Sequence, residues 1–372
     1  MKLNKLYAAI DLHSATSVIG WMSVKGEMLA NDQRFVTSEE NLQKWVRQIP
    51  AREVCLTIEA GPLTRWAAGI LRPMVSKFII CEPRYNKLVS KSPKKCDKVD
   101  VSALCELNRL DALHEVWMGQ DEDRAVFRNA VYELIKFRDQ HRELKAHIKT
   151  RYREVGILKL NGKELFHPEK RSGWIEQMPV PRRHPLLLLY DLFDTAYGGW
   201  VEQLRHVKYL GLKYPEIERF MEVPGIGEIG AHVYSAMVED PNRFNTAKEL
   251  YRFCALGITS RSSDGKQLGY ERIDRTGRRE LKTVSYHAWR TGIRAGQQCD
   301  VIRRFYLESK QRTGTARHGR LNTQRKILKT LWVMWKHETH FDPKLFLQTP
   351  KPVSTGRRPT RRRSRRTRSR KG

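Results

Sequence analysis

The first 118 residues alternate between short apolar runs and amphipathic segments. Three helices are predicted, over 38–49, where Ser38 can cap the N-terminus, over about 63–73 and over about 97–113. Four short, largely apolar runs predict buried strands; they lie at 6–10, 18–22, 54–58 and 78–81. Strands that alternate with helices predict an α/β domain with a mixed sheet.

The pattern beyond residue 118 is helical. We expect a charged helix from 121 to about 153, a loop over 156–185 and a second long helix over 186–210. Two long helices joined by an irregular link predict an antiparallel arm or an oligomerisation coil, and a plain helical spacer fits equally well. The chain is therefore divided into an α/β domain, a helical arm or linker, a mainly helical C-terminal domain and a tail; these are residues 1–118, 119–212, 213–348 and 349–372.

The charge of the chain predicts a polyanionic partner. Seventy Lys and Arg stand against 41 Asp and Glu, for a formal net charge of +29. An excess of this size favours nucleic acid, with an anionic membrane surface as the alternative. The last 22 residues hold eleven of the basic residues and no acid, which lowers the charge of the remainder only to +18. We expect this tail to be disordered and to bind phosphates without sequence preference, or else to be a solvated, dispensable extension.

Other features of the composition favour the cytoplasm. No run approaches the roughly 20 apolar residues that span a bilayer, so no membrane partner is expected. The N-terminus lacks the pattern of a signal peptide. The six cysteines are scattered without a C-x-x-C pair, which argues against a disulfide framework or structural zinc.

Four acidic residues stand where an α/β domain collects its chemistry. Asp11 ends the first predicted strand and Glu59 ends the third, and strand ends meet at one edge of a sheet. Asp97 and Asp100 are three residues apart, on one face of a helix. If all four meet, one or two Mg²⁺ or Mn²⁺ ions would neutralise them, and two such ions about 4 Å apart clamp a phosphodiester. Singly, each acid is equally well a turn cap or a solvated helix start.

A glycine pattern in the C-terminal domain indicates a second kind of site. Gly225, Gly227 and Gly230 match G-x-G-x-x-G, but the dinucleotide fingerprint needs a preceding buried strand, and the preceding segment here is polar and helical. A hairpin between two helices fits better, with glycines and free N–H groups that approach a phosphate. The alternative is a plain turn at a helix start.

A serine in a basic segment is a candidate nucleophile. Ser263 lies in the sequence S-S-D-G, which by itself is usually only a turn. The basic side chains around it suit phosphate clamping, although a solvated helix face would also carry them; they are Arg261, Lys266, Arg272, Arg275, Arg278 and Arg279.

Three N-terminal segments carry a family resemblance. The segments AAIDLHSATSVIGW, LTIEAGP and KKCDKVDVSALCEL resemble the acidic blocks of the DEDD transposases, which include the Piv-type invertases and the bridge-RNA-guided recombinases. The resemblance implies an RNase H-like domain similar to the resolvase RuvC, with four acids that bind Mg²⁺. Those acids fall on Asp11, Glu59, Asp97 and Asp100.

The C-terminal segments are similar to the same family. MEVPGIGEIGAHVYSAMVEDPNRFNTAKELYRFCAL resembles its helix-hairpin-helix, GITSRSSDGKQLGYERIDRTGRRELKTVSYHAW its serine-bearing segment, and RLNTQRKILKTLWVMWKHETHFDP its closing helix. The resemblance implies that Ser263 is the catalytic serine. Asp264 stands where the family usually has glycine, so Ser262 and Ser260 remain alternatives.

The resemblance also implies an activity and partners. A transposase of this family would cleave donor and target DNA through a phosphoserine intermediate, as a homodimer or homotetramer, and in much of the family a structured guide RNA pairs with both DNAs. We expect such an enzyme in the cytoplasm of a prokaryote, at the nucleoid. Two alternatives stay open: a metal-dependent nuclease or Holliday-junction resolvase without a covalent step, and a non-catalytic nucleic-acid-binding protein.

Overall fold

The structure is a computed structural model. It describes seven stretches, 3–83, 97–259, 262–263, 266–267, 271–274, 276–294 and 300–348, with the side chains of 97–98, 262–263 and 266–267 excepted. The chain divides into two compact units, Met1–Gln120 and Asp121–Gly372.

The first unit is built on a five-stranded mixed sheet. Its strands are β1 (Leu3–Asp11), β2 (Thr16–Ser23), β3 (Met28–Val36), β4 (Ala51–Glu59) and β5 (Lys77–Cys81). The strand order is β3-β2-β1-β4-β5; β1, β2 and β3 are antiparallel neighbours, whereas β4 and β5 continue from β1 in parallel. This topology confirms the predicted fold class, an RNase H-like α/β domain followed by a mainly helical region.

Helices cover both faces of the sheet. They are α1 (Glu39–Arg47), α2 (Thr64–Leu71) and α3 (Asp97–Arg109). Because side chains of a strand alternate between faces, Leu6, Ala8 and Ile10 of β1 enter the core formed with α1 and α2. Ala9 enters the opposite core, which α3 completes with Val101, Leu104 and Cys105.

Two expectations for this unit were wrong. The segment 5–30 was predicted to hold two strands, but β3 is a third strand that begins inside it, so Glu59 ends the fourth strand rather than the third. The polar residues 31–34 interrupt strand β3, and only Phe35 of the strand is buried, as is common at a sheet edge. The strand therefore has no continuous apolar run long enough to reveal it. Helix α3 stops at Arg109 rather than about residue 113, because Asp111 has a left-handed backbone with φ of 52°.

The second unit is mainly helical. Its helices are α4 (Glu122–Arg153), α5 (Gly162–Leu165), α6 (Ser172–Glu176), α7 (Val180–Gly211), α8 (Glu216–Met221), α9 (Glu228–Val238), α10 (Ala247–Phe253), α11 (Arg279–Arg294), α12 (Asp300–Thr313), α13 (Ala316–Lys336) and α14 (Pro343–Leu347). Four strands of two residues each interrupt them, between α10 and α11. Within the described stretches, no helix combines the length and apolar character that crossing a bilayer requires.

Helices α4 and α7 pack side by side in opposite directions and form an arm. Near its base the Gln203 side chain donates a hydrogen bond to the Ala130 carbonyl over 2.9 Å. Toward its tip the hydroxyls of Tyr152 and Tyr190 lie 3.1 Å apart. The two helices were predicted as such, and within this chain they pack as an antiparallel pair. Whether this arm also serves as an oligomerisation coil stays a prediction.

The link in this arm is more ordered than the predicted loop over 156–185. It contains α5 and α6, and α7 begins at Val180 instead of 186. The prolines of this segment suggested irregular backbone, but Pro181 stands in the first turn of α7, where a proline displaces no helical hydrogen bond.

The base of the arm shares a core with the helices that follow it. Phe127, Val131 and Leu134 of α4 and Val207 of α7 belong to the same buried cluster as α8 to α14. The predicted domain boundary between residues 212 and 213 stays a prediction. The shared core contains residues from both sides of this boundary.

A buried ion pair fixes the start of α4 in this core. Arg124 donates to Glu216 over 2.7 Å and to the Ser235 hydroxyl over 2.9 Å. Its guanidinium lies 3.8 Å from the centroid of the Tyr214 ring. Only 3% of the Glu216 side chain is exposed, so its charge depends on Arg124.

Arg124→Met should therefore destabilise the second unit by about 3 kcal/mol, because it leaves a buried carboxylate without its cation. Arg205→Met removes an exposed arginine paired with Glu202 on the arm and should change stability by less than about 0.5 kcal/mol. Guanidinium unfolding of the full chain, followed by tryptophan fluorescence, measures both. Equal midpoints for the two variants would contradict the role of the pair.

Candidate metal and nucleic-acid sites

The parallel pairing of β1 and β4 brings two of the predicted acids to one sheet edge. Ile10 pairs with Ile58, so Asp11 and Glu59 are the next residues of two strands about 4.8 Å apart. Strand alternation places both on the face that carries Ala9, which is the face covered by α3. The sequence predicted this convergence of Asp11 and Glu59.

The N-terminal end of helix α3 lies near the same edge, and its C-terminal end lies over the middle of the sheet. At its C-terminal end Asn108 donates to the carbonyl of Cys55, in the middle of β4, over 2.9 Å. Nearer its start, Val101 packs against Gly20, which pairs with Ala9 close to the end of β1. The first turn of α3, which contains Asp100, therefore lies toward the strand ends.

The meeting of all four acids stays a prediction. Among the described side chains, no group of three or more His, Cys, Asp or Glu residues is placed to hold a metal ion. Asp97 begins α3, but its side chain lies outside the described residues, so the complete set of four was not tested.

A histidine that sequence reasoning missed contacts Asp11. His13 Nε2 lies 3.3 Å from Asp11 Oδ1. Its loop is held by the Thr37 hydroxyl, which donates to the His13 carbonyl over 2.6 Å and lies 2.7 Å from the Ser17 hydroxyl. The spacing D-L-H was the only signal of this contact in the sequence.

The donors at this edge fit a hard divalent cation. Asp11 is partly accessible, with 19% of its side chain exposed. The Thr57 hydroxyl, two residues before Glu59, is buried without a hydrogen-bond partner among the described residues. Carboxylate and hydroxyl oxygens are ligands of the kind that Mg²⁺ and Mn²⁺ prefer. Burial raises the pKa of Cys105, on α3, to about 12, so this thiol is neutral in the metal-free protein.

In the second unit, the glycine pattern lies between two helices. Residues 222–227 connect α8 to α9, and Gly227 is the N-cap of α9 without a side-chain cap. A helix, not a strand, precedes the pattern, so the dinucleotide interpretation is excluded as the sequence predicted.

The three glycines differ in what surrounds them. Gly225 has a left-handed backbone with φ of 83°, and a Cβ there would overlap the Ala288 carbonyl of α11. A Cβ on Gly227 would meet nothing within 4 Å, and one on Gly230 would touch Val284 at 3.5 Å. Gly225 thus lets the hairpin pack on α11, whereas Gly227 faces open space.

The serine-bearing segment forms two short antiparallel ladders. Strand β6 (Ile258–Thr259) pairs with β9 (Arg272–Ile273), and β7 (Ser262–Ser263) pairs with β8 (Lys266–Gln267), so that Ser263 is opposite Lys266. Strands of two residues are too short to be revealed by a hydrophobic pattern. The side chain of Ser263 is outside the described residues, and the choice among Ser263, Ser262 and Ser260 stays a prediction.

The predicted basic residues are only partly described. Arg261 and Arg275, like the side chain of Lys266, lie outside the described residues. Arg272 is exposed on β9. Arg278 lies over the ring of Tyr132, 5.7 Å from its centroid, and Arg279 lines a cavity beside the hairpin. Arg138 and Asp139 of α4 line the same cavity and were not predicted, because their role depends on the packing of α4 beside α11.

Comparisons with known proteins agree on one kind of relative. Residues 217–306, which include the hairpin and Ser263, match a family model described as the transposase IS116/IS110/IS902 family, so this segment has the sequence of a transposase domain of that family. The chain is 26% identical over 253 residues to the transposase for insertion sequence element IS1111A of Coxiella burnetii, covering 64% of the chain and 66% of the relative, just under two thirds. It is 23% identical over 310 residues to a probable family 20 transposase of Pseudomonas aeruginosa, covering 81% and 89%.

The packing at the hairpin predicts opposite results for two glycine substitutions. Gly225→Ala should cost about 1–3 kcal/mol of stability, since it combines a left-handed backbone with a clash against Ala288. Gly227→Ala replaces an N-cap glycine in open space and should cost about 1 kcal/mol or less. Thermal unfolding of both variants measures the difference. A larger loss for Gly227→Ala than for Gly225→Ala would contradict this account.

Proposed function

We propose that this chain is a DNA transposase, a recombinase that cuts and rejoins DNA strands with an acidic, metal-binding site and a serine nucleophile. One observation carries the proposal. Two carboxylates end neighbouring parallel strands of an RNase H-like sheet at matching positions, in a chain whose residues 217–306 match a transposase family. The names of the two relatives support the same activity.

The acidic edge is the proposed metal site. Asp11, Glu59, Asp97 and Asp100 would hold Mg²⁺ or Mn²⁺, and the strand register keeps the first two on the face toward α3. Two such ions, when bound, stabilise the charge on the attacking and leaving oxygens of a phosphodiester. His13 lies 3.3 Å from Asp11 and would hold that carboxylate in place.

Ser263 is the proposed nucleophile. Its hydroxyl oxygen attacks the phosphorus of one strand, the bond from phosphorus to the leaving deoxyribose oxygen breaks, and a phosphoserine ester forms. The hydroxyl gives up its proton and the leaving strand takes one up, so one ester is exchanged for another and no oxidant or energy source is consumed. The reverse attack by a hydroxyl of the second DNA rejoins the strand and restores the serine.

The proposed partners are nucleic acids. Donor and target DNA are required by the reaction, and the net charge of +29 suits a chain that holds long polyanions. We further propose a structured guide RNA and a homodimer or homotetramer, on the resemblance described for the sequence. The proposed location is the nucleoid in the cytoplasm of a prokaryote.

A second candidate function is favoured by one observation. The acidic edge lies wholly within the first unit, Met1–Gln120, whereas Ser263 belongs to the second. A metal-dependent nuclease or junction resolvase would need only the acidic edge.

Substitution of the serine distinguishes these candidates. Cells that carry this chain together with the DNA flanking its coding sequence are scored for new DNA junctions by sequencing, and for protein covalently bound to DNA after denaturation. Ser263→Ala should abolish the adduct and lower junction formation at least about 10³-fold, since a covalent route lost at its nucleophile is lost almost completely. Asp11→Asn and Glu59→Gln should do the same, because amides bind divalent cations poorly.

Ser262→Ala and Ser260→Ala are the matched controls and should keep both signals. Strand cleavage by Ser263→Ala, with no adduct in the wild type, would establish the nuclease in place of the transposase. Full activity of Asp11→Asn and Glu59→Gln would refute the metal site and favour a non-catalytic nucleic-acid-binding protein.

The basic tail gives a separate prediction. Truncation after residue 350 removes eleven Lys and Arg and lowers the net charge from +29 to +18. Binding should weaken equally for unrelated DNA sequences, and the slope of log K against log salt should fall by about 0.9 for each phosphate that the tail no longer neutralises. Fluorescence anisotropy at several salt concentrations measures this, and an unchanged slope would show that the tail does not bind phosphates.

A further inference from the structure

A cavity of about 430 Å³ lies in the second unit where the arm meets the hairpin. We name it the arm groove; it is enclosed by α4, by the hairpin at 225–230 and by α11. Ile135, Ile226 and Val284 supply apolar surface to its lining. A volume of this size suits a ligand of small-molecule dimensions, so the groove takes a compact group rather than a folded partner.

Cations from two elements line the arm groove. Arg138 of α4 and Arg279 of α11 are among its lining residues, and so is His287. Partial desolvation, and then the charges of Arg138, Arg290 and Arg142, lower the pKa of His287 from its ordinary value. Desolvation of the imidazole is the main cause of this shift, and the charges of the three arginines add to it. The combined charge of these arginines favours an anion nearby.

Two acids of the lining formally balance Arg138 and Arg279, so the excess of positive charge comes from the neighbouring Arg142 and Arg290. Asp139 lies 2.9 Å from Arg138 and 3.8 Å from Arg142, so it is shared between two arginines. The Arg138 and Asp139 side chains are 34% and 48% exposed, and ion pairs with this exposure contribute little to stability. Arg138 can therefore turn to a phosphate at small cost. Glu280 is the other acid, beside Arg279 at the start of α11.

A second cluster of arginines continues the arm groove along α4. Arg128 lies 2.6 Å from Glu239, and Arg278 stacks on Tyr132. Burial lowers the pKa of Arg243 to about 10, with Glu239 acting to raise it and Arg278 and Arg128 to lower it. Arg243 therefore stays charged at neutral pH, and the three arginines share a neighbourhood. Glu239 is paired with Arg128, and Asp240 is a second carboxylate that acts on Arg243. One oxygen of Glu239 is buried without a hydrogen-bond partner in the described chain.

The spacing on α4 makes these clusters one strip. Positions 128, 132, 135, 138 and 142 recur every three or four residues and so share a helix face. From the first to the last, the helix rises about 21 Å, which is about the length of six nucleotides in one strand of B-form DNA.

From this arrangement we propose that the arm groove binds one unpaired strand of nucleic acid. The sugar or base of one nucleotide lies against the apolar surface of the cavity, and Arg138 and Arg279 hold the adjoining phosphates. The strand continues along α4 toward the exposed Arg278, while Arg128 and Arg243 stay in place and add positive charge behind it. The proposal rests on the proposed function, because a transposase must open or capture single strands, and it assigns that strand to a site which the arm helix and the segment matching the transposase family build together.

An unpaired strand fits the groove better than a duplex. A duplex presents its phosphates on the outside and keeps its bases stacked, so its bases make no use of the apolar surface inside the cavity. Single-strand sites combine a basic track with surface against which a base can pack. The arm groove has both features.

The test measures binding of the full-length chain to a labelled twelve-nucleotide oligo-dT and to a twelve-base-pair duplex. Arg138→Gln should weaken oligo-dT binding about four-fold at 0.15 M salt and lower the salt slope by about 0.7, the effect of one phosphate contact on a single strand. Thr283→Glu adds a carboxylate to the cavity lining and should weaken oligo-dT binding about ten-fold, while duplex binding changes less than about two-fold.

Each variant has a matched control on the arm. Arg205→Gln removes an arginine that is also paired with a helix neighbour. Thr195→Glu alters an exposed threonine whose hydroxyl donates to the backbone carbonyl of Asp191, four residues earlier. The Thr283 hydroxyl donates in the same way to the backbone carbonyl of Arg279. Both controls should change oligo-dT affinity by less than about two-fold.

The outcomes separate this proposal from the one it rests on. Equal losses in groove variants and controls would overturn the arm groove, as would an equal loss of duplex binding, and neither result bears on the transposase activity. A wild-type chain that binds neither probe would overturn both proposals. The same titration with oligo-rU extends the test, and a loss confined to oligo-rU supports the groove and assigns it to RNA. If only the predictions for the Ser263, Asp11 and Glu59 variants prove wrong, the proposal for the arm groove is unaffected.

Discussion

The register between β1 and β4 is the constraint on which the acidic edge depends. A slip of one residue would turn Asp11 to the opposite face of the sheet from Glu59. Leu6, Ala8 and Ile10 are all fully buried against α1 and α2, so such a slip would also expose this row of the core. The hydrophobic side of the sheet thus determines where the carboxylates on its other side stand. Chemistry at this edge is held in place by residues that never touch it.

The same division of labour recurs in the second unit. The pair between Arg124 and Glu216 sits in the core, and its burial makes it sensitive to loss of either partner. Two arm residues further along the same helix, Arg138 and Arg142, are exposed enough to exchange partners. One helix therefore carries fixed cations at its base and available cations beyond it. Depth in the protein decides which arginine supports the fold and which can serve a ligand.

Much of this arrangement could be predicted from the sequence, and the rest could not for physical reasons. Four of the five strands follow from apolar runs, and the positions of Asp11 and Glu59 follow from strand ends. Asp100 was predicted from its spacing to Asp97 on a helix, and β3 lacks a continuous apolar run because polar residues interrupt it. The hairpin was recognised, but the special role of Gly225 comes from its packing against Ala288, 63 positions away. Arg128, Arg138 and His287 escaped notice because a groove between two helices is a property of their packing.

The shared core at the base of the arm has a consequence for how such proteins change over time. The segment that matches the transposase family ends at residue 306 and starts at residue 217, yet Phe127, Val131 and Leu134 complete its hydrophobic interior. The matched segment is therefore not a portable module. A hybrid protein that inherits the matched segment without helix α4 loses part of its hydrophobic interior and one wall of the arm groove. Changes in the matched segment and in α4 therefore constrain each other.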